Sequence, residues 1–206
     1  MTLQNRVSPF GDPEAHEPRG LFMGNRGGRI HTDARVLAAR RFASKQWICC
    51  ILAFKDRHRD VWGSGYTELF FLDEVTALTA GHRPCFECRR TEAQAFADAW
   101  ERATGTRPRA ARMDALLHAQ RRDGAAKRLH RAALGDLPDG AMIAREGHGF
   151  AVRGASLLRW SPAGYDTAVA RGEGPCDLLT PPAIVAALAN GYRPHWHPSA
   201  LRVPAA

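Results

Sequence analysis

Apolar residues are distributed unevenly along the chain, and their spacing changes from segment to segment. Residues 1–30 show no periodic apolar pattern and carry Pro9, Gly11, Pro13, Pro18, Gly20, Gly24, Gly27 and Gly28, which predicts extended chain and turns. Residues 33–46, with Arg35, Arg40, Arg41 and Lys45, predict a short basic helix. The run Trp47 to Phe54 (WICCILAF) is continuously apolar with β-branched and aromatic members, the pattern of a buried strand. A charged turn follows over 55–60, and Tyr66 to Leu72 predicts a second strand. Asp73 is a good N-cap for a short helix through Ala80, and Gly81 a good stop for it. From about Thr91 to Thr104 an amphipathic helix places Ala95, Phe96, Ala99 and Trp100 on one side.

The second half is more broken. Residues 110–133 predict a helical stretch interrupted at Asp123-Gly124, and short strands follow over 141–144, 149–152 and 156–160. Thr180-Pro181-Pro182 predicts a helix through Ala189, with Thr180 as cap and proline in the first turn. Trp160 to Tyr165 predicts a turn with aromatic anchors. Together these elements predict an α+β chain. An N-terminal arm (1–19) packs across a small mixed zinc-binding module (20–106). A helical connector and a small β-rich module occupy 107–206.

Composition and charge narrow the function classes. With 45% hydrophobic and 24% charged residues among 206, the chain has the make-up of a soluble globular protein. No stretch approaches the roughly 18 apolar residues of a membrane helix, and no partner membrane is expected. Residues 1–6 lack the apolar run of a signal peptide, so the expected compartment is the reducing cytoplasm. The five cysteines (49, 50, 85, 88 and 176) are then expected as thiols or metal ligands rather than disulfides. The net charge is +8, and of 29 basic residues three are lysines (45, 55 and 127) and 26 are arginines. Arginine binds phosphate bidentately and stacks on bases, so DNA or RNA is the expected partner, although a GC-rich genome produces the same bias.

The chemistry-bearing motif is Cys85-Phe86-Glu87-Cys88. A CxxC puts two sulfurs on one tight turn where they can share a zinc ion, which takes four thiolate or imidazole ligands in a tetrahedron. A redox pair would follow a strand and open a helix, whereas here a helix and Pro84 precede the motif. The segment FFLDEVTALTAGHRPCFECRR is similar to the closing part of the Ada-type metal-binding domain of bacterial methylation-damage repair proteins. The resemblance covers about residues 69–90. It implies that Cys85 and Cys88 are zinc ligands, that the module is a small mixed fold with a DNA-facing basic surface, and that the protein belongs to DNA repair or processing. The family's upstream CxxxC pair is absent, so alkyl transfer is not expected.

Adjacent Cys49 and Cys50 point to opposite faces of a strand, so one of them is expected at the metal, with Cys50 preferred. His31, after the loop Gly24 to Arg29, is the expected fourth ligand, with His82 and His58 as alternatives. Arg83, Arg89 and Arg90 surround the motif and are the expected phosphate contacts. Asp114 and His118 lie at i, i+4 on one helix face. They are the candidate catalytic pair if the protein is an enzyme acting on nucleic acid, such as a nuclease or base-repair enzyme; a solvated helix surface is the plainer reading. His195 and His197 share a face only in a strand, and no role is assigned to Cys176. Neither a GxGxxG nor a Walker loop is present, so no nucleotide cofactor is indicated. Three classes therefore remain: a zinc protein contacting nucleic acid, an enzyme on nucleic acid, and an interaction protein without a nucleic-acid role.

Overall fold

Alternation and capping build the first half around a mixed sheet. A computed structural model describes residues 2–55 and 60–204. The chain opens with β1 (Gln4–Val7) and β2 (Pro13–Ala15), an antiparallel pair. Next come β3 (Phe22–Asn25), β4 (Ile48–Cys50), β5 (Leu69–Phe71), helix α1 (Glu74–Thr79) and the two-residue β6 (Arg83–Pro84). The strand order is β2-β1-β5-β3-β4-β6. The expected N-terminal arm is thus two strands of the sheet, with Arg6 opposite Phe70 in a parallel pair.

Asp73 caps α1 as its sequence predicts, accepting from the Thr76 amide at 2.9 Å. Ala77 and Ala80 pack on Val7, Phe22, Cys49, Leu69 and Phe71, giving the first sheet its apolar layer. Gly81, at φ +89°, turns the chain into β6; a Cβ there would meet Arg121 Cδ at 2.5 Å, so glycine is required on both counts.

Helix α2 (Arg90–Thr104) follows and ends at Gly105 in the left-handed region. Helix α3 (Ala110–Arg121) gives way to a hairpin of β7 (Arg122–Asp123) and β8 (Ala126–Lys127), so the helical stretch expected as far as residue 133 ends at Arg121 and strand pairing replaces the rest. The rest is a second sheet: β9 (His130–Ala133), β10 (Met142–Arg145), β11 (His148–Arg153), β12 (Ser156–Ser161), β13 (Gly164–Ala170) and β14 (Pro175–Leu178). It is antiparallel throughout, in the order β13-β12-β11-β10-β14-β9. Helix α4 (Pro182–Ala189) completes an α+β architecture. A helical core of Leu78, Phe96, Trp100, Met113, Leu117, Ile184 and Leu188 joins α1 to α4. No helix of the described residues is long and apolar enough to cross a membrane.

Two further local expectations are replaced. Residues 33–46 form turns and a His31–Leu37 bridge rather than a helix. They lack an apolar stripe, and arginine side chains take up the carbonyls instead: Arg26 donates to Arg41 O, and Arg40 to Arg29 O. The aromatic turn at 160–165 forms as expected, as the bend of the β12–β13 hairpin. Thr180 does not cap α4. Its hydroxyl accepts from the Met142 amide at 2.8 Å and meets Thr79 Oγ1 at 3.0 Å, while Pro181 occupies the cap position.

Candidate metal centre

The site is assembled by the parallel pairing of β4 with β6. Ile48 stands opposite Arg83 and Cys49 opposite Pro84, so the CxxC turn leaves the sheet beside the end of β4. The Cys85 amide donates to Cys49 O at 2.9 Å and fixes that turn. Alternation along β4 then separates the two adjacent cysteines. Cys50 turns toward the CxxC, and the sulfurs of Cys50, Cys85 and Cys88 all lie within 4.8 Å of one another. Cys49 turns to the other face, fully buried, where its Sγ accepts from Arg89 Nη1 at 3.4 Å.

The three sulfurs fit a thiophilic metal. Tetrahedral zinc–thiolate bonds of about 2.3 Å set sulfurs about 3.8 Å apart, within the observed grouping. The backbone is aimed to hold negative sulfur. The Glu87 amide donates to Cys85 Sγ at 3.4 Å, the Cys88 amide also reaches Cys85, and the Ile51 amide reaches Cys88. Hydrogen bonds from Cys50 and Cys88 together with these amides draw the Cys85 thiol well below its ordinary value. Bonding to Cys85 and Cys88, with burial, pushes Cys50 up. One thiolate is thus already favoured, and a cation at the centre would favour the other two.

Beside the sulfurs lies a cleft of about 430 Å³, a size that suits a small ligand. Cys50, Cys85 and Cys88 line it together with Met23, Phe54 and Phe70 and the polar Arg19, Asn25 and Glu68. Glu68 is anchored by the Trp62 amide, which donates to its Oε2 at 2.8 Å.

The other candidates have different surroundings. His31 does not join the thiols: Nδ1 bonds Thr67 Oγ1 at 2.7 Å, Nε2 bonds Gly63 O at 3.0 Å, and the ring stacks on Trp62 at 5.2 Å. With both nitrogens engaged and the ring covered, it serves the loop that its flanking glycines form. His82 is buried against Trp47 and Phe71, and burial beside Arg26 keeps its imidazole neutral. His58 lies outside the described residues.

Two of the three expected phosphate contacts are turned inward. Arg83, 2% exposed, makes a bidentate pair with Asp114, both bonds 2.9 Å. Arg89, also 2% exposed, pairs with Glu74 at 2.8 Å and lies over the Phe22 ring. Each is held by a buried carboxylate, so neither offers its charge to solvent; Arg90 is exposed. The Asp114–Arg83 pair also undoes the candidate catalytic dyad. His118 Nδ1 instead faces Arg121 Nη2 at 3.1 Å, and its ring packs edge-on to Phe42 at 4.9 Å. The spacing put both on one face of α3 but could not show the arginine that intervenes. His195 and His197 support the tail, their amides donating to Glu74 and Asp73.

Fold and site define an α+β protein with a three-thiol cluster able to hold a metal ion. Comparison with protein-family models, curated proteins and solved structures finds no match to the chain.

Proposed function

We propose that the protein is a zinc-binding protein whose ion, held by Cys50, Cys85 and Cys88, keeps its remaining coordination position toward the cleft and takes a ligand there. The observation that carries this reading is that all three cysteines of the cluster line the same 430 Å³ space, with no fourth histidine, cysteine or carboxylate in the group among the described residues. Structural zinc sites are closed by four protein ligands, whereas working sites keep a position for water or substrate. The chain's own contribution is clear: backbone amides hold the sulfurs, apolar residues from β3, β5 and the loop after β4 limit water, and Asn25 and Glu68 provide polar recognition.

Nucleic acid remains the partner class that the arginine excess supports. Its contacts fall to exposed arginines such as Arg90 rather than to Arg83 and Arg89, which are spent inside. The test of the open position is replacement of zinc by cobalt(II), a spectroscopic reporter of tetrahedral thiolate sites. Sulfur-to-cobalt absorption is expected at one equivalent per chain, and added imidazole should shift the visible bands. Bands indifferent to imidazole would mean a closed site and a purely structural metal.

A further inference from the structure

A second cluster, none of whose members lines the cleft, surrounds Trp47. Two guanidinium groups lie against its ring, with Arg26 Cζ 4.0 Å and Arg121 Cζ 3.8 Å from the centroid. Both arginines are 1% exposed. Arg26 donates to Gly11 O at 2.6 Å, Arg41 O at 3.3 Å and His82 Nε2 at 3.4 Å. Arg121 donates to Gly81 O and Lys45 O, each at 2.8 Å, and its Nε is buried without a partner. The β7–β8 hairpin sets Arg122 directly opposite Lys127. Arg122 lies over Phe42, which in turn packs on Trp47. Lys127 donates to Thr79 O and Arg41 to Ala38 O. Arg41, Arg122 and Lys127 are all half-buried.

Five cations therefore converge, and among the described residues their hydrogen-bond acceptors are backbone carbonyls and the imidazoles of His82 and His118. Among the described residues none of them has a carboxylate partner, in contrast to Arg83 and Arg89. Asp12, the acidic side chain that acts on Arg26, Arg122 and Lys127, is exposed. Asp114, near Arg121, is already taken by Arg83. Burial and mutual repulsion push Lys127 down to about 7 and Arg121 down to about 8. Buried charge without a counter-ion is costly unless something compensates it, and a single exposed carboxylate does not.

We propose that this cluster is a phosphate-binding site, with Arg26 and Arg121 as its buried floor and Arg41, Arg122 and Lys127 as the rim that takes the phosphate oxygens. Guanidinium groups match phosphate geometry bidentately. A dianion, or two successive phosphodiesters, balances the surplus better than one carboxylate. The phosphate is either free or part of a nucleic-acid backbone.

The experiment compares pyrophosphate and a 15-nucleotide oligo(dT) as probes of the zinc-loaded full chain, by calorimetry at matched ionic strength. The double variant Arg122→Ala/Lys127→Ala tests the rim, and Arg41→Ala tests it independently should the hairpin fail to form. Zinc content and circular dichroism establish that each variant is folded. Saturable pyrophosphate binding is expected, weakened about tenfold or more by the double variant. If the oligonucleotide also binds, its slope of log K against log salt should flatten by about 1.4 in the double variant, roughly 0.7 per lost phosphate contact; that assigns the site to nucleic-acid backbone. Pyrophosphate binding alone assigns it to small phosphates. Absence of saturable binding by either probe, or equal affinity in the folded variants, overturns the proposal.

Discussion

Cys49 and Cys50 differ only in the parity of their position on β4, and that parity decides their chemistry. Cys50 reaches the sulfurs of Cys85 and Cys88. Cys49 sits among Phe22, Leu69 and Phe71, where burial raises its thiol above the ordinary range. Cys50→Ser is therefore expected to lose metal and Cys49→Ala to retain one equivalent, measured by elemental analysis of the purified variants. The alanine variant should lose only about 1 kcal/mol of stability, in line with a small buried side chain. Equal metal content in the two variants would mean that the strand does not sort them. Periodicity at period two made the opposite facing of the pair legible in the sequence. It could not show which face the CxxC approaches, because that depends on the β4–β6 register, which pairs Ile48 with Arg83 and Cys49 with Pro84.

At the scale of elements, α1 is the short helix on which both halves depend. Asp73 Oδ2 accepts from Tyr165 Oη at 2.9 Å and the His197 amide at 3.1 Å, while Glu74 accepts from Arg89, Tyr192 Oη and the His195 amide. Each of these carboxylates is fully buried. Removing one partner of a buried ion pair costs about 3–5 kcal/mol, so Glu74→Gln should lower the unfolding free energy measured by urea titration by that amount; a loss below about 1 kcal/mol would show that Arg89 finds another acceptor. The helix and its Asp73 cap were readable from local signals, as was α2. The hub itself was not, since its partners lie up to 124 residues away. The same reason hid β1, whose parallel pairing with β5 is non-local and whose proline-rich surroundings look like loop. Residues 33–46 failed in the other direction: arginines suited to a helix surface are instead used to satisfy loop carbonyls.

For the whole molecule, charge is the property that the sequence states most loudly and places least well. A net charge of +8 says nothing of where the arginines go. Some, such as Arg83 and Arg89, neutralise buried carboxylates. Others, Arg26 and Arg121, press on Trp47. The CxxC showed two of the three cysteines of the candidate metal centre from sequence, and the fold brings Cys50 and the cleft beside them, while His31 belongs to a separate loop. The most direct test of the central claim is zinc X-ray absorption fine structure on the purified full chain. Three sulfur scatterers at about 2.3 Å and one nitrogen or oxygen at about 2.0–2.1 Å are predicted. A two-sulfur shell, or a protein folded and stable without any bound metal, would contradict it.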